Sequence, residues 1–343
     1  MCGIAGFVAP ADVRADLGVL ERMVASLRHR GPDAVGLHVD GPAALGVARL
    51  SVIDLETGDQ PIETEDGSAT VVLNGEIYGC EEHRAALVAR GHRFRSRSDT
   101  EVIAHAWEEV GEGVVDRLNG MFAFALWERD RKRLFLARDR MGEKPLYYTV
   151  ADGWFVFASE LRALLAHPVT AARLDLEGLA RYLTYDYVPD PHSILAGVTK
   201  LPPGHTLVAT GREIVTRRYW DIPFRPEPEV DERTWCEEIA RRFDRAVALR
   251  LVSDVPVGCF VSGGIDSTVV AGTAARQRPH IRTFSVGYDG TDHDERRYAR
   301  IVADYFGTRH EELVVSASDA GRLLERLGGL LDEPLADMSF VPL

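Results

Sequence analysis

The sequence predicts two domains of different class: an N-terminal α+β domain in which helices cover β-sheets, then a parallel, doubly wound α/β domain. Three observations lead to this. The chain has 343 residues, beyond the size at which a single core stops growing, so each part can bury a core of its own. Strand and helix patterns mix without strict alternation over the first part and alternate β-α-β-α in the second. Between them runs Asp221 to Val230, charged and with prolines at 223, 226 and 228, which exclude helix and central strand. The first domain is assigned to residues 1–210, a linker to 211–230 and the second domain to 231–343.

Each element has its own pattern. Ile4 to Val8, Ala69 to Leu73, Met121 to Trp127, Arg133 to Ala137 and Trp154 to Ala158 are short apolar or alternating runs bounded by Gly, Asp or Asn, the mark of strands. Leu17, Leu20, Val24 and Leu27 recur at helical spacing, as do Val102, Ile103, Ala106, Trp107 and Val110 behind Asp99, a candidate N-cap. Past the linker comes a helix from about Asp231, with Trp235, Ile239, Phe243, Val247 and Leu251 on one face, then a strand from Val255 to Val261. A helix from Ser267, a strand from Ile281 to Val286, a helix with Tyr298, Ile301, Val302 and Tyr305 inward, and a strand near Glu311 to Val315 complete the order. That order implies a parallel sheet. No internal repeat or low-complexity tract is evident.

Composition narrows the function. The 53 acidic and 40 basic side chains give a net charge of −13, which argues against a binder of phosphate backbones; nucleic acid is excluded as a partner. Cysteines at 2, 80, 236 and 259 form no Cys-x-x-Cys and no His/Cys cluster at zinc-like spacing, so neither disulfides nor a structural metal is expected, and a reducing cytoplasm fits. There is no signal peptide and no apolar run long enough to span a membrane.

Two segments carry chemistry on their own. Met1-Cys2-Gly3 would, after loss of the initiator, place a thiol and an α-amine on one residue: a nucleophile and its base, both titrating near pH ~8. The alternative is a small buried hydrophobe. Ser262-Gly263-Gly264-Ile265-Asp266-Ser267 follows an apolar strand and opens a helix, where open sheets bind ligands. Its glycines admit a polyanion to the backbone amides, Ser262 and Ser267 add hydroxyls, and the helix terminus adds its field, together a pyrophosphate cradle. No Gly-Lys-Ser/Thr follows, so it is not a Walker A loop. Asp266 beside a phosphate requires a bridging cation, which points to Mg²⁺. The alternative here is a turn that merely caps a helix.

The Ser-Gly-Gly-Ile-Asp-Ser loop resembles the PP-loop of ATP pyrophosphatases, which split ATP between the α and β phosphates; the resemblance places Val261 and Val286 where that family holds adenine. Joined to Cys2-Gly3-Ile4, it is similar to the glutamine-dependent asparagine synthetase family. Further matching segments are Arg28 to Asp33, Arg49 to Asp54, Asn74 to Tyr78, Ser98 to Glu101, Gly120 to Ala125, Ala137 to Arg140, Pro145 to Tyr148, Tyr187 to Pro189 and Lys200 to His205.

The resemblance implies an αββα sandwich of the N-terminal-nucleophile type followed by part of a PP-loop domain. In the first site Cys2 is the nucleophile, Asn74 and Gly75 the oxyanion donors, Arg49 the clamp for the glutamine carboxylate, Asp99 the partner of its ammonium, and Glu76 completes the pocket. A glutamine pocket needs such a cation, anion and pair of donors. Taken singly, Arg49 reads as a surface cation, Asn74-Gly75 as a hairpin turn and Asp99 as an N-cap. Arg28 to Gly31 reads as a helix end with its cap and is given no chemistry, and Cys80, Cys236 and Cys259 read as inert thiols. In the second site Val261, Ser262, Gly263, Gly264, Asp266, Ser267 and Val286 hold ATP, and Asp266 the Mg²⁺.

The implied reaction amidates aspartate with ammonia from glutamine, giving asparagine, AMP and pyrophosphate. Glutamine, aspartate and ATP are the expected small-molecule partners, with a homodimer as the family's common assembly. The chain departs from the family after Asp332 to Leu343, where a second pyrophosphate motif and an acceptor-binding region would follow, so truncation is expected. Two alternatives accompany this reading: a paralogue that amidates another carboxylate, and a glutaminase or nucleotide-binding module without ligase activity.

Overall fold

A computed structural model describes residues 1–211, 213–224, 230–288 and 294–336. It divides into two compact units, the first Met1–Pro223 with Asp332–Ala336, the second within Phe224–Leu331.

In the first unit, strands numbered in chain order form two six-stranded antiparallel sheets. One holds β1 (Gly3–Val8), β2 (Ala34–Asp40), β3 (Ala43–Arg49), β8 (Tyr147–Ala151), β9 (Trp154–Ala158) and β10 (Val198–Lys200), in the order β10-β8-β9-β1-β3-β2. The other holds β4 (Ile62–Glu63), β5 (Ala69–Ile77), β6 (Gly120–Glu128), β7 (Arg133–Arg138), β11 (His205–Thr210) and β12 (Glu213–Arg218), in the order β12-β11-β7-β6-β5-β4. Helices α1 (Leu17–Ala25), α2 (Cys80–Ala89), α3 (Asp99–Val110), α4 (Val114–Arg117), α5 (Leu161–Leu165) and α6 (Leu176–Tyr185) lie between strands in sequence.

Three apolar clusters define four layers. Ile4, Leu45, Val47 and Phe157 of one sheet meet Val72, Ala125, Trp127 and Leu136 of the other, all buried. Leu20, Met23 and Val24 of α1 and Leu161 and Leu164 of α5 pack with Phe7, Ala44 and Val156. On the far side Ile103 and Trp107 of α3, with Val114 of α4, pack with Val71, Leu73, Phe124 and Phe135. The result is an α-β-β-α sandwich. Because both sheets are covered on both faces, β3 is buried along its whole length and shows no alternation; its Ala-Ala-Leu-Gly-Val-Ala run escapes the strand pattern for that reason. Its partner β2 is joined to it across Gly41, at φ +57°.

Several expectations need correction. Helix α1 ends at Ala25, so Arg28 to Gly31 is not a helix end; Gly31 is required because a Cβ there would stand 2.1 Å from the Ala48 oxygen. Ser98, not Asp99, caps α3, its hydroxyl accepting the Thr100 N–H at 3.2 Å. Asn74 and Gly75 lie inside β5, opposite Ala123 and Phe122, and not in a turn. Residues 213–218, placed in the linker by the sequence, pair with β11. Pro226, Pro228 and Asp337 to Leu343 lie outside the described residues.

The second unit runs α7 (Glu232–Arg250), β13 (Gly258–Phe260), α8 (Ile265–Gln277), β14 (Arg282–Tyr288), α9 (Arg296–Phe306), β15 (Arg309–Val315) and α10 (Ala317–Leu330). Its three strands are parallel, in the order β13-β14-β15. Val247 of α7 and Leu251 just after it, Ala274 and Ala275 of α8, and Ile281 form its main core. On α7, Trp235 and Ile239 of the expected inward face are exposed, and on α9 Tyr298, Ile301 and Tyr305 are exposed while Ala299 and Ala303 are buried. Small residues face the sheet because α9 comes close to it, as Gly287 also shows: a Cβ there would meet the Arg296 side chain at 2.4 Å. No described helix is long and apolar enough to cross a membrane.

Candidate active site

Cys2 stands immediately before β1, and the β1–β3 register, Gly3 opposite Ala48, brings it beside the end of β3. Its Sγ accepts the Leu50 N–H at 3.4 Å and donates to the Leu50 oxygen at 3.7 Å. Arg30 fixes the same residue from the other side: Nε donates to the Cys2 carbonyl at 2.9 Å, and Nη1 to Glu160 at 2.8 Å. Burial pushes the thiol pKa up, against the opposing Leu50 bond, so the sulfur carries its proton at neutral pH and requires a base. Burial also lowers the pKa of the Met1 amine, which leaves more of it unprotonated at neutral pH.

β5 supplies the next three groups. Asn74 is fully buried; its Nδ2 donates to Ser159 Oγ at 3.4 Å, and the same oxygen accepts the Ile4 N–H at 2.9 Å, two residues from the thiol. Its Oδ1 is buried without a partner. Gly75 could carry no side chain, since a Cβ would stand 2.1 Å from the Met121 oxygen. Glu76 is half-buried in the same strand; burial and then the neighbouring Asp99 push its pKa up to about 8.

Asp99 begins α3, is buried, and accepts the Ile77 N–H at 2.9 Å. Burial raises its pKa too, against the lowering effect of the Ile77 and Thr100 N–H groups. Two facing carboxylates with raised pKa values mark a pocket that lacks a cation. The Lys144 ammonium acts against the rise at Glu76, and burial lowers its own pKa. Its Nζ lies 2.8 Å from the Met1 sulfur, on a loop held by Asp139, which accepts the N–H groups of Met141, Glu143 and Lys144.

Cys2, Asn74, Gly75, Glu76 and Asp99 thus come together from β1, β5 and α3. Arg49 is buried at the end of β3, but its guanidinium is engaged with Asp59 (2.7 Å) and the carbonyls of Ile53 and Asp54 (3.1 and 2.7 Å). Arg30, Lys144, Ser159 and Glu160 were missed by sequence reasoning. Arg30 lay in a matched segment given no chemistry; Ser159-Glu160 follows a strand with no signal in its spacing. Cys80 donates to the Ile77 oxygen and burial pushes its pKa up, so it is inert.

In the second unit Val261 is buried directly after β13, its N–H bonded to Phe284 of β14 at 2.8 Å, and Val286 lies in β14 near its end. Ser262 Oγ is 3.0 Å from Ser267 Oγ and accepts the Gly264 N–H at 3.3 Å. Gly263 is at φ +84°, where a Cβ would meet that of Tyr298 at 2.4 Å. Gly264 starts the 13-residue α8 without a side-chain cap, so its first amides are open to an anion. Asp266, in the first turn, is exposed, and no described hydrogen bond or ion pair engages it.

Comparison with known proteins assigns a family to each part of the chain. Residues 1–220 match the family model of a glutamine amidotransferase domain, and residues 238–343 that of asparagine synthase. Asparagine synthetase [glutamine-hydrolyzing] 3 of Bacillus subtilis is 36% identical over 98% of this chain and 58% of its own length. A putative asparagine synthetase [glutamine-hydrolyzing] 2 of Methanocaldococcus jannaschii is 31% identical over all of this chain and 70% of its own. The chain spans about half the length of most of the curated relatives it matches, from 45% to 58% for the three from B. subtilis. Glutamine phosphoribosylpyrophosphate amidotransferase of B. subtilis has a similar fold, with a TM-score of 0.51 at 16% identity over 92% of this chain and 81% of that one. With both family models matched in order and relatives aligned along its whole length, this chain belongs to the family of glutamine-hydrolysing asparagine synthetases.

Proposed function

We propose that the chain hydrolyses glutamine at Cys2 and that the protein uses the ammonia to convert aspartate to asparagine, with ATP cleaved to AMP and pyrophosphate. The observation that carries the reading is the convergence of a buried thiol, the Asn74-Gly75 pair and the uncompensated Glu76–Asp99 carboxylates within one unit.

Loss of Met1 moves the α-amine onto Cys2. That amine takes the thiol proton as sulfur attacks the side-chain amide carbon, and gives it to the departing ammonia. The glutamyl thioester left on Cys2 is then hydrolysed by water to glutamate. Asn74 supports the oxyanion role through its amide orientation. With the amide oxygen and nitrogen exchanged, the Ser159 hydroxyl would donate to Oδ1, so that the buried group awaiting a partner is a donor and not an acceptor. The N–H₂ then becomes the free group, joining the Gly75 N–H as a second donor. The ammonium of glutamine meets Glu76 and Asp99, and its carboxylate replaces Asp59 at Arg49, which is the exposed partner of that pair.

For the second step, the uncapped α8 terminus and the Ser262 and Ser267 hydroxyls fit the phosphates of ATP, and Val261 and Val286 the adenine. Asp266 fits Mg²⁺, a hard cation taking oxygen ligands, which would shield the phosphate charge. Ammonia must arrive unprotonated, because ammonium has no lone pair for attack on the activated carboxylate. Four free cysteines are in keeping with the reducing cytoplasm that this reading assigns, with a homodimer as the assembly.

Ammonia release from glutamine, measured beside Cys2→Ala with Mg-ATP and aspartate present and pyrophosphate followed, tests both steps. Ammonia lost in the variant, with aspartate-dependent pyrophosphate, supports the whole reading. Pyrophosphate only with another carboxylate changes the acceptor; no ammonia from the processed chain refutes the Cys2 mechanism.

A further inference from the structure

We propose that Glu65, His92, His105 and Glu108 form a site for one divalent transition-metal ion of the zinc type, separate from both sites above. The residues are far apart in sequence, and spacing alone excluded such a cluster. Tertiary structure assembles it: Glu65 follows β4, His92 lies in the turn after α2, and His105 and Glu108 share a face of α3.

Ligand atoms of Glu65, His92 and His105 lie within 4.8 Å of one another, and Glu108 Oε2 reaches both histidines. His105 Nδ1 lies 3.0 Å and His92 Nδ1 3.3 Å from Glu108 Oε2, and the same two nitrogens lie 3.8 and 3.9 Å from Glu65 Oε1. A tetrahedral ion with bonds of about 2.0–2.1 Å has ligand–ligand edges of about 3.3 Å, so four edges are already near their bound length. Both histidines present Nδ1 to the common centre and Nε2 to a separate carboxylate: His92 to Glu109 and His105 to Glu101, each at 3.5 Å. These are ion-pair distances, and His105 Nε2 makes no hydrogen bond; a carboxylate on the outer nitrogen is the kind of group that orients a metal-bound histidine once the ring settles. The ligating carboxylates are themselves held, Glu108 Oε1 by the Glu65 N–H at 2.9 Å and Glu65 Oε1 by the Arg93 N–H.

Charge favours the same occupant. Two imidazoles lie 5.0 Å apart, and a single dication between them balances the two carboxylates that face both rings, Glu65 and Glu108, without placing two imidazolium charges side by side. His105 is 2% exposed and His92 15%, while Glu65 at 38% leaves one side open for entry of an ion. The ion would tie the β4–β5 turn to α3 and to the loop that delivers Ser98 and Asp99.

The test uses the full chain, stripped with a chelator, then titrated with Co²⁺ and with Zn²⁺. We expect one Co²⁺ per chain with the visible band of a low-symmetry nitrogen–oxygen site and no thiolate charge-transfer band. Zn²⁺ should displace it and raise Tm. His92→Ala should weaken binding at least tenfold and remove the Tm response, whereas His310→Ala, on β15, should change neither. His92 is a turn residue, so its variant keeps the test valid if His105→Ala fails to fold. Absence of stoichiometric binding, or equal binding in His92→Ala, would overturn the proposal and leave the cluster as a structural network of histidines and carboxylates.

Discussion

On the proposed assignment of Glu76 and Asp99 to the ammonium of glutamine, binding should release a proton, because the two carboxylates cannot both ionise cheaply while the pocket is empty. Glu76 is pushed up to about 8 by burial and by Asp99. Below that pH the pair retains a proton that must leave before the ammonium can seat. The apparent KM should then rise about tenfold per pH unit below the pair's pKa, on the order of 100-fold over two units, or about 2.7 kcal/mol. Above about pH 8 it should level off. Initial rates of ammonia release across this range separate KM from kcat, which also carries the titration of Cys2. Calorimetry in buffers of different ionisation enthalpy counts the proton directly. Glu76→Gln should weaken binding at alkaline pH and flatten the slope. A raised carboxylate pKa stabilises the empty fold fully below the unfolded value near 4.5, and that contribution disappears as pH rises through 8. Glutamine should therefore raise Tm more at high pH than at low. A KM independent of pH from 6 to 8, with buffer-independent heats, would refute the reasoning.

Three further outcomes follow from packing and buried charge. Gly75→Ala places a Cβ 2.1 Å from the Met121 oxygen and must open the β5–β6 ladder, so we expect lost glutaminase activity and a stability loss of about 2–4 kcal/mol by denaturant unfolding. Glu160→Gln frees Arg30, whose Nη1 it holds at 2.8 Å, and lets the Cys2 carbonyl shift; kcat should fall about 10–100-fold with little change in KM, while a fall in KM alone would contradict it. Glu333→Gln removes the charge facing Lys200 Nζ at 2.5 Å in a site where both side chains are about nine-tenths buried, and should cost about 3–5 kcal/mol of first-unit stability, read by chemical denaturation.

Much of this protein was legible before folding. The strands Ile4 to Val8, Met121 to Trp127, Arg133 to Ala137 and Trp154 to Ala158 show because each is a short apolar run between turn residues. The β-α-β order after residue 231 shows because helical and strand periods differ. Cys2 and the Ser262 to Ser267 loop stand out because their chemistry is local, a terminal amine beside a thiol and glycines before a helix, whereas Asn74-Gly75 taken singly reads as a turn and was singled out only through the family resemblance. β3 stays hidden, since burial on both faces erases the alternation that reveals a strand.

Tertiary structure decided the rest. Only the β1–β9 register brings Ser159 to the Ile4 amide and Asn74, and only the turn after α1 brings Arg30 to the Cys2 carbonyl. Neither contact leaves a trace in spacing, because the partners lie 155 and 28 residues apart and meet only through the fold. The raised pKa of Glu76 likewise depends on burial and on a carboxylate from another element, and His92, Glu65 and α3 converge only when β4 and α2 pack beside it. Local sequence determines which groups are available and which backbone they ride on. Long-range packing determines the distances and the solvent exclusion on which their charge and reactivity depend.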